Sequence, residues 1–257
     1  MTIAEQWIAL CTIMRKEVVR FTRIWVQTLL PPVITMGLYF VIFGQLIGAR
    51  IGEMDGFSYM DFVVPGLIMM SVITNSYSNV VSSFFGVKFQ RSIEELLVSP
   101  TPNYIILLGY VVGGVSRGLL VGFIVTLVSL FFTDLSIYSL PITIAIVFMT
   151  SIVFALAGFL NAVFARTFDD ISIVPTFILT PLTYLGGVFY SISLLPPFWQ
   201  AVSQLNPILY MVNAFRYGIL GISDINIAYA FMGVALFVVL LSVICLQLLA
   251  RGTRLRS

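Results

Sequence analysis

From Tyr104 to Phe132 the chain carries one charged side chain, Arg117, and from Ser139 to Phe164 and from Ile227 to Ala250 it carries none. Runs that long without charge decide the class. A bilayer's hydrocarbon core of roughly 30 Å is crossed by about 20 apolar residues in a helix. Backbone polar groups at that depth must be satisfied within the segment, which a helix does. Charged residues make up 9% of the chain and hydrophobic ones 60%, whereas soluble domains carry about 25% charged residues. The mean hydropathy of +1.07 agrees. The expected fold is an all-α, polytopic membrane protein.

A chain of 257 residues has room for about six such spans. They are expected at Leu29–Ile47, Phe62–Phe84, Tyr104–Phe132, Ser139–Phe164, Ile171–Tyr190 and Ile227–Ala250. Pro31 and Pro32 fall in the first turn of the first span, where a missing N–H is harmless. Before it, Ile3, Trp7, Leu10, Met14, Val18, Phe21 and Trp25 recur at helical spacing, with Arg15, Lys16, Arg20 and Arg23 beside them. This pattern predicts an amphipathic helix lying in the headgroup plane rather than a cleaved leader. The organisation is therefore one membrane unit over 1–257, with an interfacial helix in 1–27 and a six-span core in 28–257.

Basic residues alternate between sides. With the N-terminus inside, the cytoplasmic segments hold Arg15, Lys16, Arg20, Arg23, Lys88, Arg91, Arg166, Arg251, Arg254 and Arg256, and the external ones Arg50 and Arg216. That asymmetry places both ends in the cytoplasm.

Between spans two and three stands "KFQRSIEELLVSPTPN", Lys88 to Asn103, which gathers Lys88, Arg91, Glu94 and Glu95 into what reads as two helical turns. Such a helix presents Ile93, Leu96 and Leu97 to a groove and turns Glu94 and Glu95 toward basic partners. Pro100 and Pro102 end it and stiffen its link to the next span. A solvated loop that merely follows the charge rule is the alternative, but the two glutamates work against that rule.

Within the spans, Ser71, Asn75, Ser78, Asn79 and Ser82 lie close to one helical face. They line a substrate route or a dimer seam, or else only hold the bundle together by interhelical hydrogen bonds. Gly109, Gly113, Gly114, Gly118 and Gly122 form a small-residue ladder that lets a second helix approach closely. Arg117 is either a functional charge or a donor to carbonyls freed near Gly113 and Gly114.

The segment Ser191–Gly221 is apolar but broken by Pro196, Pro197 and Pro207, so it cannot run as one helix. Two short helices are expected, starting near Pro196 and Pro207. They either dip into the outer leaflet, where broken backbone must be satisfied by protein or water, or lie on the bilayer surface.

Several chemistries are excluded. The chain has no His, and Cys11 and Cys245 stand at opposite ends, so no metal site or disulfide framework is expected. No GxxxxGK[ST] loop surrounds either lysine, Lys16 or Lys88, so this chain cannot hold ATP that way. Asp61, Asp134, Asp169 and Asp170 all fall at span ends, which leaves a proton relay without a carboxylate. No nucleophile and base can be paired for catalysis.

The run "FILTPLTYLGGVFYSISLLPPFWQAVSQLNPILYMVNAFRYG" resembles the signature region of type-2 ABC transporter permeases, with Pro207, Tyr210 and Arg216 on the family's pattern, and "EELLVSP" resembles its cytoplasmic coupling element. The resemblance spans essentially the whole chain. It implies the permease subunit of an ATP-driven exporter in a bacterial inner membrane, moving a lipid, glycan or hydrophobic compound. It implies a second copy of the chain and a separate ATPase subunit that binds the ATP, so that this chain needs no cofactor. Membrane lipids, not nucleic acid, are the expected surroundings. Arg91, Ile93, Glu94, Glu95, Leu96, Leu97 and Pro100 are then the ATPase-coupling residues. Ser71, Asn75, Ser78, Asn79 and Arg117 mark the path or seam, and Pro196, Pro207, Tyr210 and Arg216 an outer gate. Arg216 is expected to meet external headgroups or carbonyls freed at Pro207. A secondary transporter or channel not coupled to ATP is the alternative.

Overall fold

The computed structural model describes residues 1–252, which are mostly helical. Arg254 and Arg256, counted above among the cytoplasmic charges, lie outside the described residues.

Helix α1 (Ile3–Arg23) begins with Thr2, whose hydroxyl accepts from the Glu5 N–H while the Glu5 carboxylate takes the Thr2 N–H, a reciprocal cap. Ile24 leaves helical geometry, and α2 (Trp25–Thr28), α3 (Leu30–Tyr39), a π-helical stretch (Phe40–Ile47) and α4 (Gly48–Ile51) then run on nearly without interruption. Pro31 and Pro32 occupy the first turn of α3. A short antiparallel hairpin follows, β1 (Glu53–Met54) on β2 (Phe57–Ser58), turning at Asp55 and Gly56 with positive φ at both, as a two-residue turn of that kind requires. It is the one departure from an all-α chain among the described residues.

The long helices come next: α5 (Tyr59–Phe89), the short α6 (Ile93–Val98), α7 (Asn103–Ser129) and α8 (Leu140–Phe164). Then α9 (Phe168–Val174), a π-helical stretch (Pro175–Leu179) and α10 (Thr180–Tyr184) form a further helical rod. Finally come α11 (Pro197–Gln204), α12 (Pro207–Leu220) and α13 (Ile227–Arg251).

Four helical segments are long and apolar enough to cross a membrane: Trp25–Ile51, α7, α8 and α13. They coincide with four of the six expected spans to within a few residues. The other two differ for physical reasons. Helix α5 contains Phe62–Phe84, but Ser71, Asn75, Ser76, Ser78, Asn79, Ser82 and Ser83 dilute its apolar character. The expected span Ile171–Tyr190 starts earlier, at Phe168, and stops at Tyr184, because the chain turns at Gly187 with φ +70.

Helix α5 is the centre of the bundle and packs on α7, α8 and α12. The Phe84, Tyr110 and Phe159 rings lock three of those helices, with centroids 5.2 Å apart for Phe84–Tyr110 and 4.1 Å for Phe84–Phe159. The glycine ladder on α7 serves two neighbours. A Cβ at Gly109 or Gly113 would strike Ile13 or Glu17 of α1, and one at Gly114, Gly118 or Gly122 would strike Val80, Ser76 or Val72 of α5. Small residues thus seat two helices on opposite sides of one.

Candidate functional site

Three clusters hold the chemistry-bearing side chains. The first is a polar layer where α1 and α7 meet α5. Asn79 accepts two bonds from Arg20 Nη2, at its backbone oxygen (2.9 Å) and at Oδ1 (2.8 Å). Glu17 is fully buried, takes the Ser83 hydroxyl at 2.6 Å and pairs with Arg20 at 3.4 Å. Arg117 Nη2 donates to Asn75 Oδ1 at 3.0 Å and to the Thr28 carbonyl at 3.3 Å. Asn75 Nδ2 and the Ser71 hydroxyl turn back onto their own helix, to the oxygens of Ser71 and Ile68.

The expected stripe therefore divides. Ser71, Asn75 and Asn79 are buried, and the latter two face the arginines. Ser82 is exposed and Ser78 partly so, and with Thr74, an exposed residue outside the expected stripe, they form at spacings of four an open strip along the most enclosed helix of the bundle. Arg117 does not use carbonyls freed near Gly113 and Gly114. It ties α7 to α5 and to the end of α2.

The second cluster lies at the end of the bundle that carries α6. Lys88 belongs to the last turn of α5, not to the charged helix, and its ammonium caps α8 through the carbonyls of Val163 (2.6 Å) and Ala165 (2.7 Å), a C-terminal arrangement favoured by the helix dipole. Arg91, with φ +61, makes the turn between α5 and α6. Ile93 is buried in the chain's own core, and Leu96 and Leu97 are half-buried against it. This corrects the expectation for Ile93, which is not offered to a partner groove: a six-residue helix on a short tether needs an apolar anchor in its own bundle, while Leu96 and Leu97 keep part of their surface. What α6 presents outward is Glu94, Glu95, Val98 (86% exposed) and, beyond it, Pro100. A cleft of about 470 Å3 separates α6 from α1, with Lys16 on one wall and Glu95 and Leu96 on the other.

The third cluster surrounds Arg216, which is 1% exposed. Its Nη2 donates to the Gly187 carbonyl at 2.6 Å, its Nε to the Phe62 carbonyl at 3.3 Å, and its guanidinium lies 3.8 Å from the Phe62 ring centroid. Neither external headgroups nor carbonyls at Pro207 hold it, contrary to expectation. The carbonyls come from the corner after α10 and the start of α5. Helix α12 is accordingly a core element, buried along most of its length, while α11 is largely exposed. Pro196 and Pro197 open α11, and Pro207 opens α12 behind an Asn206 cap, so the prolines do start two helices. Tyr210 reaches from α12 to the Gln204 carbonyl at 2.9 Å and joins the pair.

A family model for the ABC-2 type transporter matches residues 8–220. The chain belongs to that family. Over 251 residues the ABC-2 permease is 62% identical to the inner membrane transport permease YadH of Escherichia coli strain K12, with 98% of each chain covered. It is 25% identical over 206 residues to nodulation protein J of Sinorhizobium fredii, covering 80% of this chain and 79% of that one.

In the ABC-2 permease, sequence reasoning missed Glu17, Arg20, Asn213 and Asp224 as structural polar groups. Asn213 Oδ1 accepts the Asp224 N–H at 3.1 Å, and the Asp224 carboxylate takes the Ser191 hydroxyl at 2.9 Å. Glu17 and Arg20 carried a readable signal: they stand three apart on α1, and the Gly113 step of α7 brings the two helices close enough to bury Glu17. Among the described residues no cluster of Cys, Asp or Glu is arranged to hold a metal ion.

Proposed function

We propose that this chain is the membrane half of an ATP-driven exporter, working as a pair of copies with a separate ATP-binding subunit. One observation carries the reading. Thr74, Ser78 and Ser82 keep open surface on the central helix, whereas Asn75 and Asn79 of the same helix face Arg117 and Arg20 inside the bundle. Polar groups facing hydrocarbon are unfavourable and usually face protein or a water-filled route. A second copy placed against this strip covers it and makes a path between the two.

The remaining parts fit that arrangement. Helices α5 and α9–α10 complete six spans, with both ends and α6 in the cytoplasm of a bacterial inner membrane. Helices α11 and α12 form a re-entrant pair at the outer end, where Pro196, Pro207, Tyr210 and Arg216 shape an outer gate. Glu94, Glu95, Arg91 and Val98 receive the ATP-binding subunit. The Ile93, Leu96 and Leu97 anchor passes its push to α5, and Pro100 and Pro102 carry it to α7 as a stiff link. ATP stays on the partner, because this chain holds no phosphate loop. The open strip is polar but uncharged, which suits an amphiphile (a lipid, a glycan-bearing lipid or a hydrophobic compound) better than a small ion.

Purification of the tagged chain from its own host's membranes tests this. An ATP-hydrolysing protein should accompany it, and Glu94→Lys with Glu95→Lys should release that protein while the permease stays in the membrane. Loss of a desolvated charge contact typically costs about 2–5 kcal/mol, enough to abolish recovery. A partner retained at full yield by the double variant would refute this docking site.

A further inference from the structure

Away from the polar layer, α7 and α8 part to leave a cavity of about 440 Å3 whose floor is formed by Ile68 and Val72 of α5 and Phe215 and Ile219 of α12. The floor residues are buried, while Phe123, Ile144 and Phe148 at the mouth are exposed. We propose that this cavity is a lipid site that takes one acyl chain of a bilayer phospholipid, entering sideways between α7 and α8.

Three features commit the site to hydrocarbon. The mouth is continuous with the outward surfaces of α7 and α8, both of which are long and apolar enough to cross the membrane, so lipid is what meets it. The lining side chains are apolar except Thr126 and Thr143, whose hydroxyl donors are spent on the Gly122 carbonyl (2.8 Å) and the Ser139 carbonyl (2.9 Å). Water needs two to four polar partners to occupy a cavity, and apolar cavities of lesser size stay dry and take apolar guests. The volume also falls within the roughly 300–1,000 Å3 of ligand-holding pockets. A second copy of the chain is a poorer occupant, since a flat helix face cannot reach the floor. The chain resting on Phe215 and Ile219 touches α12 on either side of Arg216, so the bound lipid supports the helix that carries the buried arginine.

The full chain reconstituted in liposomes with a phosphatidylethanolamine bearing a diazirine in its acyl chain gives the test. After illumination, peptide mapping should find label on Val72, Phe215 or Ile219 as well as at the mouth. In the variant Thr126→Leu with Val147→Phe, which fills the cavity, floor label should be lost while label at Ile144 persists. Label confined to Phe123, Ile144 and Phe148 in the wild-type chain overturns the proposal, because those side chains meet any surrounding lipid. That wild-type pattern decides the matter even if the filled variant does not fold. Efficient dimer formation through a cysteine at Ile144 would also overturn it, by showing that protein covers the mouth.

Discussion

Arg20 of α1 grips Asn79 of α5 at both its backbone oxygen and its side-chain Oδ1, at 2.9 and 2.8 Å. The contact ties α1 to the bundle. Asn79→Ala removes one acceptor and weakens the hold on a charged donor, a class of bond worth about 1.5–3 kcal/mol. The expected outcome is faster hydrogen exchange throughout α1, with the exchange of α7 and α8 unchanged. Unaltered protection of α1 would show that apolar packing alone seats it.

Glycine substitutions separate packing from propensity. A Cβ at Gly113 would lie 2.5 Å from Glu17 Cβ, whereas one at Gly86 would meet nothing within 4 Å. Gly113→Ala should lower thermal stability, since it pushes α1 and its buried carboxylate away. Gly86→Ala should raise it by about 0.5–1 kcal/mol through helix propensity. Thermal unfolding of the two variants in the same bilayer mimetic reads the difference, and equal behaviour would contradict the α1–α7 contact.

What was legible in the sequence follows from what hydropathy measures. Helices α7, α8 and α13 stand out because runs with at most one internal charge, bounded by Pro, Asn or Gly, leave little choice of ends. The inward face of α1 did not stand out. Ile3, Trp7 and Trp25, expected on the apolar face, are exposed, while Glu17 is buried, because in a membrane protein apolar side chains have two acceptable neighbours, lipid and protein. Amphipathicity finds the polar side of such a helix but cannot say which apolar side meets the bundle. Arg216 was misplaced for a related reason. A charge in a proline-broken segment reads as surface, and only the fold brings the Phe62 and Gly187 carbonyls to it from 154 and 29 residues away.

Arg216→Lys tests that socket. A planar guanidinium serves two carbonyls and an aromatic face together, which a single ammonium cannot do. The lysine variant should lose thermal stability and show increased proteolysis near Gly187. Wild-type stability would mean that charge, not geometry, is what the socket requires.

Asp170 caps the start of α9. Its carboxylate accepts the backbone N–H groups of Arg166 (2.8 Å) and Thr167 (3.0 Å), donors that have no partner within the helix. Asp170→Ala should therefore speed hydrogen exchange in the first turn of α9. Unchanged exchange there would show that the cap does not hold this helix end.

The open strip on α5 decides the central reading. In a chain with Cys11→Ser and Cys245→Ala, a single cysteine replacing Ser78 should form a disulfide-linked dimer in native membranes under mild oxidation. A cysteine replacing Leu240 on the outward face of α13, which is exposed, should not. Free reaction of the Ser78→Cys thiol with a lipid-soluble maleimide, with no dimer formed, would contradict a permease built from two copies meeting along α5.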